Sequence, residues 1–344
     1  MLRVKPSIYI LEEEPSSYIV LATATRRIMK FEVDDLVREI INLCAQRIEP
    51  EDLVNTLDSK YSLENIHLCL EALRKFGIVE EDLFYPNKKF AKQVAFISEL
   101  TGSFSEAVDL QKRIENSNIA IFGVGGIGSW VVNGLAQIGI GEIRICDPDT
   151  VSETNLNRQL HFTSADIGKP KVNVLKKRIP DSNILTYTAR VSDNEDLEEI
   201  IQGTNFIVNC ADSPSIQETT RIIDSYARRL GIAYTIAGGY NMHLGMVGPI
   251  IVPGFTACFD CFLRTQKEND PLSKLKVVKD VEDSGNLGPI AGAIANIQVM
   301  EILKYLINRG EHNFNRFAEI DFLSLRIDWR DYDKHPECHV CNQV

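Results

Sequence analysis

The chain has 344 residues and a net charge of −11, with 44% hydrophobic and 25% charged residues. That balance excludes wholesale disorder, a collagen-like repeat and a coiled coil, and the acidic charge argues against sequence-independent nucleic-acid binding, which needs a dense basic surface. The length suggests two domains, and eight cysteines are too few per residue for a disulfide scaffold.

The start, MLRVKPSIYILEEEPSS, has charges beside its only short apolar run, so it does not read as a signal peptide. Ser7–Leu11 and Tyr18–Leu21 are β-rich runs around the polar turn Glu12–Ser17 and predict a hairpin. Val33, Leu36, Val37, Ile40, Ile41 and Cys44 follow at helical spacing. Pro50 opens a second helix carrying Leu53, Val54 and Leu57. Ser62 can cap a third, with Leu63, Ile66, Leu70 and Leu73, which stops at Gly77. Hairpin, three helices and then Ile78-Val79 predict a small winged-helix-like α+β domain over residues 1–84. Its third helix sets Glu64 and Glu71 beside Arg74 and Lys75, so it offers no basic stripe for DNA.

Tyr85-Pro86-Asn87-Lys88-Lys89 reads as a linker, so residues 85–94 form an arm and 95–344 a second domain. A helix is expected from residue 95 to about 110. Strands and helices then alternate: Asn118–Phe122 and Ile127–Ile138; Glu142–Cys146 and Lys169–Arg178; Ile184–Ala189 and Asn194–Ile201; Phe206–Cys210 and Pro214–Leu230; then Ala233–Ala237. This order predicts a Rossmann-like α/β fold with a parallel sheet. Ile119–Gly141 carries no charge, but seven glycines, Asn133 and Gln137 fit a buried strand–turn–helix better than a membrane span. Beyond Gly238 two strand-like runs flank Gly248-Pro249. A polar segment (Arg264–Asn286), a long apolar helix (Ile290–Ile307), strands at Phe317–Ile327 and a cysteine-containing tail follow. A cytoplasmic protein is expected.

Gly123-Val124-Gly125-Gly126-Ile127-Gly128 follows an apolar strand and opens a helix, the context of a phosphate-binding turn. The glycines admit close backbone approach, and the helix N-terminus supplies free N–H groups. Asp147 ends the next strand, where an acid can accept from ribose hydroxyls. By itself this says only that a nucleotide binds.

The run Asp147-Pro148-Asp149-Thr150-Val151-Ser152-Glu153-Thr154-Asn155-Leu156-Asn157-Arg158-Gln159 narrows it. Gly168-Lys169-Pro170-Lys171 and Asn209-Cys210-Ala211-Asp212 follow in order. With the cysteine pairs below, this constellation over residues 88–344 resembles the ATP-dependent adenylating family of ubiquitin-activating E1 enzymes and their bacterial relatives, which activate sulfur carriers in thiamine and molybdopterin synthesis. The resemblance implies a Rossmann-like E1 domain with a mixed sheet that uses ATP and Mg²⁺. It implies a ribose role for Asp147, triphosphate contacts for Asn155, Arg158 and Lys171, and Mg²⁺ coordination for Asp212. Each has a plainer reading: Lys171 lies among Lys169, Lys176 and Lys177 as a solvated lysine, and Asn155 could cap a turn. The family's aromatic-x-Arg-Gln segment, whose arginine reaches the partner subunit's ATP, is here Phe90-Ala91-Lys92-Gln93; Lys92 keeps the charge and loses the planar fork.

Cys258-Phe259-Asp260-Cys261 and Cys338-His339-Val340-Cys341 form two C-x-x-C pairs. Four thiolates at this spacing suit a closed, structural zinc site; two pairs make a redox role the lesser alternative, and His339 a bystander. Cys44, Cys69, Cys146 and Cys210 lie in apolar contexts and read as small core residues. Relatives that form a thioester often place a cysteine after the first pair, but Phe262–Pro289 contains none.

With its N-terminal domain the chain resembles the branch of the family that matures ribosomal peptides, the microcin C and pantocin enzymes. The resemblance implies a leader-recognition domain, a homodimer, and adenylation of a peptide carboxylate or amide without a cysteine relay. No nucleic-acid or membrane partner is expected. An adenylyltransferase for a sulfur-carrier protein and a non-catalytic leader-binding protein are the alternatives.

Overall fold

The computed structural model describes residues 1–82, 85–192, 195–272, 275 and 285–341. The chain divides into two compact units, Met1–Lys112 and Arg113–Val344.

In the first unit, β1 (Leu2–Val4) precedes β2 (Ile8–Glu14), β3 (Ser17–Ala22) and β4 (Arg27–Glu32). The last three form an antiparallel sheet in the order β2-β3-β4, so the hairpin gains a third strand. Helices α1 (Asp35–Ala45), α2 (Pro50–Leu57) and α3 (Leu63–Lys75) follow, then β5 (Val79–Glu81), which pairs with β1. Asp34 caps α1 through the Val37 N–H at 2.8 Å, and Ser62 caps α3 through the Asn65 N–H at 3.2 Å. Leu36, Ile40, Leu53, Leu57, Ile66 and Leu73 point inward from the three helices to a core closed by Leu2 and Val20. The single helix expected after residue 95 is two, α4 (Ala91–Thr101) and α5 (Phe104–Glu115). Gly102, at φ +72°, ends the first, and the Ser103 hydroxyl accepts from the Glu106 N–H to start the second.

The second unit holds β6 (Asn118–Phe122), α6 (Gly126–Ile138), β7 (Glu142–Cys146), α7 (Lys171–Arg178), β8 (Ile184–Tyr187), α8 (Glu195–Ile201), β9 (Phe206–Asn209), α9 (Ile216–Leu230) and β10 (Ala233–Ile236). It continues with β11 (Tyr240–Asn241), β12 (Leu244–Val247), β13 (Ile250–Ile251), α10 (Phe259–Asn269), α11 (Gly288–Ile307), β14 (Arg316–Asp321) and β15 (Arg326–Asp331). Six strands form a mixed sheet in the order β13-β10-β9-β6-β7-β8, parallel except at β13. β6 and β9 are apolar runs because they are buried. A second, antiparallel sheet runs β11-β12-β14-β15. Ile119–Gly141 is β6, the glycine turn and α6, as its glycines predict. α11, with a mean hydropathy of 1.4, is the one helix among the described residues long and apolar enough to cross a membrane, yet it packs on α6 and buries Ile294, Ile302 and Leu306. The polar segment Arg264–Asn286 begins within α10, and most of its remainder lies outside the described residues, as does Asn194 ahead of α8.

Candidate active site

Strand β6 is the switch point of the parallel sheet: β7 and β8 run out on one side of it, β9 and β10 on the other. Ligands of open α/β sheets sit in the crevice beyond the carboxyl ends of such strands. A cavity of about 790 Å³ opens there, inside the size range of small-molecule sites. It brings together Gly123, Gly125, Gly126 and Gly128 with Asp147, Asn155, Arg158, Lys171 and Asp212. Lys92 is exposed on α4 of the first unit and is not among the lining residues.

The turn after β6 is forced tight against β9. Gly123 has φ +83°, and a Cβ there would come within 2.7 Å of the Ala211 nitrogen and the Cys210 carbonyl. That backbone is itself locked. Asn209, fully buried at the end of β9, donates from Nδ2 to the hydroxyls of Thr219 (3.1 Å) and Thr220 (2.8 Å). Its Oδ1 accepts from the Ala211 N–H at 3.0 Å, and the Thr219 hydroxyl donates to the Ala211 carbonyl at 2.6 Å. Asp212, exposed, is the next residue on this turn.

Asp147 is 4% exposed. Its Oδ2 accepts from the Val124 N–H at 2.7 Å and its Oδ1 from the Asp149 N–H at 2.8 Å, tying β7 to the glycine turn. Burial raises its pKa above the ordinary 3.8, against the pull of Lys171 and the two N–H donors. Lys171, first residue of α7, is buried and pairs with Asp149 at 2.9 Å. Asn155 is buried in a 3₁₀ turn, its Oδ1 accepting from the Ser152 N–H at 3.0 Å, so the plainer capping reading holds for one of its atoms while the residue also lines the cavity. Arg158 donates from Nη1 to the Thr154 carbonyl at 2.6 Å, and its own carbonyl accepts from the Trp130 indole at 3.0 Å.

Several lining residues carry no local signal. Arg190, Gln217, Tyr240, Asn241 and Gln266 reach the cavity from four different segments. Gln159, by contrast, stands inside the N-L-x-R-Q string; it is buried, lines the cavity, and its Oε1 has no hydrogen-bond partner among the described residues.

Two thiols also line the cavity. Burial pushes Cys146 up to about 12 and Cys210 higher still, so neither offers a ready thiolate. The other cysteine group lies apart. The sulfurs of Cys258, Cys261, Cys338 and Cys341 all fall within 4.8 Å of one another, with separations of 3.5 Å (Cys258–Cys338) and 3.7 Å (Cys258–Cys261 and Cys261–Cys341). Zinc bound tetrahedrally at about 2.3 Å sets sulfurs about 3.8 Å apart, so the donor set fits that ion. Burial raises Cys261 to about 11; at Cys338 the N–H groups of Val340 and Cys341 and neighbouring thiols outweigh burial and bring it down to about 7. His339 is exposed and outside the group.

Comparison with known proteins bears on the family and the fold. The model of the ThiF family matches residues 92–340. The SAMP-activating enzyme E1 of Haloferax volcanii is 27% identical over 237 residues, 68% of this chain and 83% of that protein. The molybdopterin-synthase adenylyltransferase of Salmonella typhimurium is 26% identical over 237 residues, 68% of this chain and 90% of that one. Among solved structures, E. coli MccB with ATP superposes with a TM-score of 0.73 at 21% identity over 99% of both chains. The microcin C7 biosynthetic enzyme MccB in complex with N-formylated MccA gives 0.75 at 21%, again over 99% of both. At that identity the likeness shows the fold, and it includes the first unit.

Proposed function

The chain belongs to the ThiF family of ATP-dependent adenylating enzymes, and from that premise we propose that it activates a carboxylate or amide of a ribosomally made precursor peptide. The acyl-adenylate is captured within the same peptide, without a cysteine thioester. The observation that carries this reading is one cavity holding the glycine turn, Arg158, Lys171 and Asp212 with no reactive thiol beside them. The whole-chain likeness to MccB, solved with N-formylated MccA, supports a peptide as the acceptor.

In this reading the N-terminus of α6 receives phosphate oxygens. Arg158 and Lys171 offset the charge gathering on the phosphates as pyrophosphate departs, and Asn155 contacts the triphosphate. Asp147 accepts from the ribose hydroxyls. Asp212 would hold Mg²⁺, which takes carboxylate oxygens and neutralises phosphate charge. Lys92 of one subunit in a homodimer would reach the other's triphosphate, and the four clustered cysteines would hold structural Zn²⁺. The first unit would take the leader as an added strand on an edge of the β2-β3-β4 sheet.

The peptide oxygen attacks the α-phosphorus, the bond to the bridging oxygen breaks, and pyrophosphate leaves. A neighbouring peptide nitrogen then attacks the activated carbon and loses its proton; the carbon–oxygen bond to AMP breaks and a ring closes. Holding both groups in one cavity makes this step effectively unimolecular. Attack of that nitrogen on the phosphorus instead would form a nitrogen–phosphorus bond with loss of the nitrogen's proton. The phosphorus–oxygen bond to the activated group would break and release that oxygen as the free carboxylate or amide, leaving a nucleotidyl peptide.

A second reading, adenylation of a sulfur-carrier protein, is favoured by the molybdopterin-type relative. Pyrophosphate release from ATP tests both. Release that needs a precursor peptide is expected; release only with a carrier ending in Gly-Gly overturns the peptide reading. No release with either favours a leader-binding protein without activity.

A further inference from the structure

Tyr240 approaches the phosphate turn from the second sheet. A Cβ on Gly126, the first residue of α6, would lie 2.9 Å from the Tyr240 hydroxyl oxygen and 3.7 Å from Cδ and Nε of Arg158. The phenol and the arginine stem thus flank the same point over the first turn of α6, and the missing side chain at position 126 is what leaves the phenol its place. The backbone holds it there. The chain leaves β10 through Gly238, at φ +71°, where a Cβ would collide with the Met246 carbonyl, so β11 turns back at once onto β12. The pairing of Tyr240 with Gly245 and the Met246 N–H bond to the Gly239 carbonyl at 2.8 Å set the register that aims the ring into the cavity.

The two cations of the cavity each also hold a protein oxygen, Arg158 the Thr154 carbonyl and Lys171 the Asp149 carboxylate. A neutral hydroxyl over a helix N-terminus suits an anion that these two do not fully surround. We infer that the Tyr240 hydroxyl donates a hydrogen bond to the phosphate chain of the bound nucleotide. This rests on the adenylation reading and adds to it a phosphate-binding residue from outside the Rossmann elements.

Isothermal titration of the full chain with Mg·ATP and with adenosine tests it without any acceptor peptide. Tyr240→Phe removes one oxygen from a part-exposed ring. It should weaken ATP about 10-fold, as expected when a hydrogen bond to a charged group is lost, and leave adenosine unchanged. Equal ATP affinity in variant and wild type overturns the assignment while the adenylation reading stands. Equal losses for ATP and adenosine also overturn it, because the ring would then act by packing. A wild-type chain that binds no ATP overturns the adenylation reading and this one with it.

Discussion

The Lys171 ammonium stands 2.9 Å from the Asp149 carboxylate, with the lysine side chain 7% exposed and the aspartate 59%. Lys171 opens α7, where the positive end of the helix dipole disfavours a cation, and burial disfavours it further. A charge kept where local physics opposes it points to use. Lys171→Met should therefore leave the melting temperature unchanged or raised, while pyrophosphate release falls about 100-fold or more, as when one stabilising donor is lost from a transition state. A melting temperature several degrees lower with activity retained would make the pair purely structural.

Asn209 joins the Asp212 turn to α9. Asn209→Leu keeps the volume but orphans the Ala211 N–H and the bonds to Thr219 and Thr220. The loss should be about 2 kcal/mol, or about 4–8 °C in a unit of this size. Because Asp212 follows on the same turn, the Mg²⁺ concentration for half-maximal pyrophosphate release should rise as well. Thermal melting and a Mg²⁺ titration check the two halves separately.

The Rossmann core was legible because its strands are short apolar runs set between helices with recognisable starts, and the glycine turn stands in its required context. β1 and β4 were not. β1 is three residues long and finds its partner, β5, only through the fold. β4 mixes Arg27, Lys30 and Glu32 with apolar residues, and Ile28 on it is 69% exposed, so it carries no clean inward period. The candidate site divides the same way. Residues inside the motif strings converge on the cavity, whereas Tyr240, Gln266 and Arg190 arrive by tertiary folding from stretches without a pattern. The role the resemblance implies for Lys92 belongs to a two-subunit site, and a single chain leaves it exposed on α4.

Asp147 should make stability fall as pH rises. Its folded-state pKa lies above the ordinary 3.8, so between the two values the folded chain binds more protons than the unfolded one. The slope of unfolding free energy with pH is then negative: this contribution is full below the unfolded value and is lost as pH rises through the folded one. Asp166, held below the ordinary range by Thr163 and Arg178, acts in the opposite sense at lower pH. A comparison of wild type with Asp147→Asn isolates the first effect. The variant should be relatively more stable above the carboxylate range, the difference shrinking on acidification, while its ATP affinity drops. A difference independent of pH in denaturant melts would show that Asp147 is not held in its charged form against burial.

The cysteine cluster gives a prediction that needs no substrate. Cys258 and Cys261 sit at the start of α10 and Cys338 and Cys341 in the C-terminal tail, so a metal there would close a long loop. Among the described residues the tail is also held by polar contacts, such as the His335 N–H to the Cys261 sulfur at 3.2 Å and the Lys334 ammonium to the Gly254 carbonyl at 3.3 Å. The purified chain should carry one zinc per subunit by elemental analysis, and a strong chelator should remove it with a lowered melting temperature. Cys338→Ser should do the same, because a structural site contributes its binding free energy to folding and three ligands hold the ion less tightly than four. ATP affinity should be lost only at temperatures where the second unit melts, since none of the four sulfurs lines the nucleotide cavity. A chain that contains no zinc, or that melts identically with and without chelator, would show the sulfurs to be packed thiols.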